Sequence, residues 1–267
     1  MSKVIDENIL IDSVFKTYDI NQLAKYTLNI SAKQSGSLFV RVEKADSVSV
    51  KCIIDNGYDV NIIFWNQSDC EIVFDEQYTV NNNGNLNLSY GECNKGKTER
   101  DTKVELIGAY TNAILNSASL VSTDKNYRIK MINSHSNTSG QINNHAVVLN
   151  NGRLMIDAIG KINKGAKKSK SHQTSRALSF ADNQNTTILP ELLIDENDVE
   201  ASHAMSIGRV DEEHLYYMMS RGLDMNECTR LISLGYLLPI TDNISDDKLR
   251  DALKEELERK INEYVRS

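Results

Sequence analysis

No stretch of this 267-residue chain approaches the roughly 18 to 20 uninterrupted apolar residues that a membrane-crossing helix requires, although 40% of its residues are hydrophobic. The apolar residues are dispersed, so a soluble chain with a sizeable core is expected. The opening residues, MSKVIDENILIDSVF, place Asp6 and Glu7 inside what would be the apolar part of a signal peptide, and no small-residue cleavage pattern follows. A cytoplasmic protein without membrane attachment is expected. Excess positive charge is lacking as well: the formal net charge is −7, which argues against nucleic acid as a partner. The one basic run, Lys161, Lys164, Lys167, Lys168 and Lys170, is interleaved with glycine, asparagine and serine and has no aromatics for base stacking. It reads as a solvated loop.

Cysteine is scarce and scattered. Cys52, Cys70, Cys93 and Cys228 form none of the C-x-x-C spacings of a zinc or iron-sulfur cage. Buried apolar thiols are expected rather than disulfides, with room for one reactive thiol. Catalytic signatures are also missing: there is no G-x-S-x-G elbow and no H-E-x-x-H helix. His135, His145 and His172 stand alone in polar, turn-like surroundings and read as ordinary surface or turn histidines.

What is present, from about Ser35 to Val199, is a series of short alternating segments separated by Asn, Asp, Gly and Ser. Val48 to Ile54, Val60 to Trp65, Leu86 to Leu88, Val104 to Leu106, Tyr127 to Ile132 and Arg153 to Ile156 are examples. Period-two alternation at this spacing predicts many short strands. A hairpin-built sandwich and a stacked solenoid both suit the pattern. Turn asparagines such as Asn81, Asn82, Asn83, Asn85, Asn143 and Asn144 lean toward the solenoid, whose stacked turns could align their amides.

After His203 the pattern becomes helical. Asp211 is placed to cap a helix with Glu212 and Glu213 in its first turn and Gly222 as its left-handed stop. Asp224 and Glu227 have capping-box spacing for a second helix, closed by Gly235 before Pro239. Ser245, with Asp246 and Asp247, opens a third, carrying Leu249, Leu253, Leu257 and Ile261 as an apolar stripe for core or partner.

One motif demands separate weighing. Gly91-Glu92-Cys93-Asn94-Lys95-Gly96-Lys97-Thr98 matches the phosphate-loop pattern G-x-x-x-x-G-K-[ST] letter for letter. Such a loop works when a buried strand delivers it to a helix N-terminus. Here Thr102 to Leu106 alternates as another strand, so the helix is missing and a chance match in a turn is expected. A nucleotide hydrolase using Gly91 to Thr98 is one rival reading, and a carbohydrate-active solenoid with two acids across a groove is another.

From Gly152 onward the chain resembles the SufB/SufD family. The likeness rests on Gly152-Arg153, Gly160-Lys161-Ile162, Ala166, Gln173-x-Ser175-Arg176-Ala177-Leu178, Pro190 to Ile194, Asp198 to Ala204, Ile207 to Glu213, Leu215-Tyr216-Tyr217 and Ser220-Arg221-Gly222. A weaker segment lies at Arg100, Val104 to Leu106 and Gly108, and about the first 80 residues carry none of it. The resemblance implies a mainly β fold: a right-handed parallel β-helix core over 35–202, after an N-terminal segment 1–34 and before a small helical C-terminal domain 203–267. The unmatched N-terminus implies that the helical N-terminal domain of longer relatives is reduced or absent.

The resemblance also implies a function, that of a non-catalytic scaffold in iron-sulfur cluster assembly. Such subunits pair through their β-helices, with a SufB-like chain or a second copy. They dock a SufC-type ABC ATPase through the helical domain, here near Arg209, Asp211, Tyr217, Arg221 and Gly222. Sulfur comes indirectly from a cysteine desulfurase and its carrier; the cluster is held transiently, and nucleotide is bound by the ATPase rather than by this chain. Within the family the sequence is nearer SufD. His203 matches the SufD histidine at the subunit interface and is the candidate iron ligand. A cysteine often found two residues earlier is replaced by Ala201, so other ligands would come from the partner.

Overall fold

The computed structural model describes residues 3–149, 151–180, 185–244 and 247–265. Its strands form two eight-stranded sheets. One contains β1 (Val4–Ile11), β3 (Lys25–Ala32), β5 (Ser47–Ile54), β7 (Ile72–Val80), β9 (Thr98–Leu106), β11 (Asp124–Asn133), β13 (Arg153–Ile162) and β15 (Thr186–Ile194). The other contains β2 (Phe15–Asn21), β4 (Gly36–Lys44), β6 (Asp59–Asn66), β8 (Asn85–Glu92), β10 (Asn112–Val121), β12 (Ser139–Val148), β14 (Ser169–Ser179) and β16 (Val199–Arg209). The chain alternates between the sheets at every turn, and each strand pairs in parallel with the strand two positions away. The result is a β-solenoid.

Because alternate side chains point to opposite faces of a strand, the period-two pattern becomes inward columns running along the solenoid. One column reads Ile9, Ile30, Cys52, Tyr78, Val104, Met131, Gly160 and Leu192. Each aliphatic side chain withdrawn from water this way contributes about 1.5–3 kcal/mol. The asparagine turns stack too: Asn82 Oδ1 accepts from Ala109 N at 2.7 Å in the next rung, and Asn163 Nδ2 donates to Ser134 Oγ at 3.0 Å.

The solenoid is longer than the sequence pattern marked. The residues set apart as an N-terminal segment supply β1 to β3, with Ile9, Ile11, Ile20, Leu28 and Ile30 in the common core. At the other end β16 carries the sheet through Arg209.

Three helices follow, α1 (Glu212–Ser220), α2 (Met225–Leu237) and α3 (Asp247–Val265), with a 3-10 turn over Leu238–Asn243 between the last two. Asp211 accepts from Glu213 N at 2.8 Å, and Asp224 and Glu227 form a reciprocal capping box. Gly222 has φ +94° after α1, in the region that favours glycine. Gly235, in contrast, does not close α2. It sits inside the helix where an added Cβ would meet nothing, and Pro239 lies in the first turn of the 3-10 segment that follows. Ser245 and Asp246 lie outside the described residues.

The apolar stripe of α3 is core. Leu253, Leu257 and Ile261 pack with Leu234, Leu237 and Ile240 against Phe39, Ile63, Trp65, Ala118, Leu120 and Val147. Those residues lie on the outer face of the β2–β16 sheet, so the helical tail folds back along the solenoid and covers part of one side.

Candidate functional site

The last rung of the solenoid, β15 with β16, has no further rung upon it. In β14 the inward residues Ser171, Gln173 and Ser175 are buried, and their register partners in β16 are Ala201, His203 and Met205. The same inward phase in β16 is therefore exposed, with Met205 at 48% and Ile207 at 39%. On β15, Leu189 and Leu193 lie outward and exposed while Ile194 continues the inward phase at 37%. His203 thus sits in the mouth of the solenoid among apolar side chains and beside unpaired strand edges.

The column ending at His203 shows how the fold prepares that position. It runs Leu38, Ile62, Leu88, Leu115 and Ile142, then Gln173 and His203. Beyond Lys16 in the first rung, which pairs in register with Leu38, polarity enters only at the last two rungs.

The other candidate residues are elsewhere. Arg209 ends β16 six residues beyond His203, about 20 Å away at strand rise. Asp211 is the N-cap of α1. Tyr217 and Arg221 come together at its C-terminal end, where the guanidinium lies 5.2 Å from the ring centroid, and Gly222 follows. No residue of α1 is buried, and Tyr216 (77%) and Tyr217 (58%) are the largest side chains on it. The structure therefore separates two places, an open rung with His203 and a bare helix with Tyr217 and Arg221. Among the described residues no group of three or more His, Cys, Asp or Glu side chains is placed to hold a metal ion.

The phosphate-loop match has the wrong polarity. Gly91 and Glu92 end β8, Thr98 begins β9, and Lys125 of β11 reaches into the turn between them. Its Nζ donates to Gly96 O at 2.8 Å, Asn94 O at 3.3 Å, Thr98 Oγ1 at 2.9 Å and also Asn94 Oδ1. A phosphate cradle presents amides to an anion, whereas this turn presents carbonyls to a buried cation.

The family-model comparison decides the family. Residues 42–236, more than half of the chain, match the model of the SUF system FeS cluster assembly SufBD core domain. The chain belongs to the SufBD family. Over 137 residues it is 36% identical to the iron-sulfur cluster assembly protein SufD of Bacillus subtilis, a stretch covering 51% of this chain and 31% of that one. It is 39% identical over 85 residues to a SufBD family protein of Pyrococcus horikoshii, covering 32% and 19%. To one of Staphylococcus epidermidis it is 25% identical over 167 residues, covering 62% and 36%. The matched region spans about a third or less of each of these relatives.

Within this SufBD chain several expectations need correction or extension. His135 lies in a turn, but His145 and His172 are strand residues: His145 is half-buried 5.9 Å from the Tyr236 ring, and His172 Nδ1 is 2.7 Å from Ser202 Oγ. Cys52, Cys93 and Cys228 are buried, and burial pushes the first two thiols up to about 12. Cys70 is only partly buried. The Asp75, Asp101, Arg128 and Asp157 row on the outer face of the β1–β15 sheet has Arg128 between acids, 3.7 Å from Asp101 and 3.4 Å from Asp157. Asp101 and Asp157 thus flank a cation, while Asp75 is the register neighbour of Asp101.

Sequence reasoning missed a buried ionic cluster. Arg100 contacts Glu76 at 2.6 Å and Glu92 at 2.5 Å, lies 3.7 Å over the Phe74 ring and 3.9 Å over Tyr90, and is 3% exposed. The signal was the phase: Thr98, Arg100, Thr102, Val104 and Leu106 share one face of β9, so Arg100 stood at an inward position.

Proposed function

We propose that this chain is a non-catalytic scaffold subunit of the SUF iron-sulfur cluster assembly machinery. The observation that carries the reading is the open last rung, which places His203 among exposed apolar side chains beside unpaired strand edges. Strand edges are templates for pairing with another chain, and a SufB-like subunit or a second copy of this chain is the partner there. A neutral imidazole is a competent iron ligand; His203 supplies one ligand to the nascent cluster, and the partner supplies the others, since Ala201 offers none. The cluster is cargo, assembled and passed on.

The bare face of α1, with Tyr216, Tyr217, Met219 and Arg221, is the docking surface for a SufC-type ATPase, with Arg209, Asp211 and Gly222 setting its position. Aromatic, methionine and arginine side chains on an uncovered helix have the composition of interface anchors. A cysteine desulfurase and its carrier deliver sulfur to the complex. Nucleotide binds the ATPase: the Gly91 to Thr98 turn is engaged by Lys125, and the outer Asp101 and Asp157 by Arg128. The protein works in the cytoplasm.

The test is anaerobic co-purification with SufC and SufB partners from the same genome, reading complex mass with iron and sulfide. A complex with the ATPase that His203→Ala leaves assembled but without cluster supports the reading. Absence of any complex, or ATP hydrolysis by the purified chain alone, would overturn it.

A further inference from the structure

We propose that Gln173 is the positioning residue for His203: its side-chain carbonyl accepts a hydrogen bond from one imidazole nitrogen and leaves the other facing out of the open rung. This rests on the reading of His203 as a cluster ligand. Gln173 is 2% exposed, yet its Oε1 has no hydrogen-bond partner among the described residues. Its Nε2 is already committed, donating to Glu191 O at 2.9 Å. With the donor end held by β15, the free acceptor belongs to a fixed amide, and the side chain directly above it in the parallel ladder is His203.

Two features say that this amide is kept for a purpose. Five successive rungs of the same column are aliphatic, so a leucine in place of Gln173 would continue the core without leaving a buried acceptor unpaired. The column partner across the core is a glycine: a Cβ on Gly160 would come 2.8 Å from Gln173 Nε2 and 2.5 Å from Ser171 Oγ. The opposite sheet gives up a side chain where the amide sits. Ligating histidines characteristically spend their second ring nitrogen on a carbonyl or carboxylate, which fixes tautomer and ring orientation. Gln173 offers that carbonyl from within the protein, before any metal arrives.

The test uses the metal-free chain, labelled with 15N-histidine and observed at pH 8, with His203→Ala assigning the signal. Wild type is expected to show two well-separated ring nitrogen resonances for His203, the signature of one tautomer. Gln173→Met should collapse that separation, and Gly160→Ala, which displaces the amide without removing it, should do the same. Ser175→Ala removes the neighbouring inward hydroxyl bonded to Asn144 Nδ2 at 3.0 Å; it should lower stability and leave His203 unchanged. In the assembled complex Gln173→Met should weaken iron retention by about 10–100-fold, as for other outer partners of metal ligands. Averaged resonances in wild type, unchanged resonances in Gln173→Met, or an equal change in Ser175→Ala would each overturn the proposal. Loss of tautomer control with iron retention untouched by His203→Ala would instead sink the ligand reading and keep the positioning.

Discussion

Arg100 and Glu76 meet inside the solenoid from adjacent strands, Nη1 2.6 Å from Oε1, with both side chains at most 1% exposed. Glu92 takes the other guanidinium nitrogen, and Tyr90 and Thr102 donate to Glu76 at 2.5 and 2.8 Å. Nearby Lys125 gives the interior two acids and two bases. Replacing Arg100 with leucine strands two carboxylates in the core and should cost about 3–5 kcal/mol, read from the urea midpoint. Combining Arg100→Met with Glu76→Gln and Glu92→Gln should restore most of the loss, because the unpaired charges disappear together.

The thiols set an alkaline limit. Cys52 and Cys93 are raised from 9.0 to about 12 by burial, with Glu92 adding to the effect at Cys93. A raised pKa in the folded state means full stabilisation below pH 9.0 and its progressive loss as pH climbs toward 12. Urea midpoints should fall between pH 8.5 and 10.5, and less so in Cys52→Val with Cys93→Val. Alkylation of the native protein should mark Cys70 first and reach Cys52 and Cys93 only on unfolding.

His145 works in the opposite pH range. Burial beneath α2 lowers its pKa below the ordinary 6.5, with Arg176 adding to the effect, although its bond to the Tyr236 backbone opposes the shift. As pH falls through 6.5 the unfolded chain takes up the proton first, so stability drops. Hydrogen exchange in α2 should accelerate at pH 5.5 relative to 7.5, and His145→Gln should flatten that difference.

Trp65 is the single tryptophan, and it lies in the cluster formed by the sheet and α3. Leu257→Ala should cost about 2–5 kcal/mol and shift Trp65 emission to the red, reporting loosening of the tail without disturbing the inward columns.

The strands between Val48 and Ile156 were legible because most of their inward positions are apolar, despite the polar and charged groups at Glu76, Glu92, Arg100 and Lys125. The first rungs were not: in β1 the inward phase includes Glu7 beside Ile5, and in β2 it includes Lys16 and Tyr18, so the alternation is broken where the interior approaches water. β16 was hidden for the same reason, since both of its faces are exposed and no hydrophobic period is enforced. Parallel register leaves no mark in a period-two pattern, so alternation alone did not separate sandwich from solenoid; the turn asparagines leaned toward the solenoid, the family likeness implied it, and the pairing of β7 with β9 shows it. His203 and Arg221 came from family likeness; Gln173 stood in the same motif, but its place beneath His203 depends on a register between residues thirty positions apart.

The two ends of the solenoid are finished differently. At the first rung Lys16 donates to Leu10 O at 2.9 Å and pairs with Asp12 at 3.8 Å, and Glu7 bonds the Tyr18 hydroxyl. At the last rung Ile194, Met205 and Ile207 are uncovered. A rod sticky at both tips would add units head to tail and grow into a fibre. With charged groups at the first rung and the uncovered apolar ones at the last, the pairing proposed above would join two last rungs and bury the surface that each could offer to a third chain.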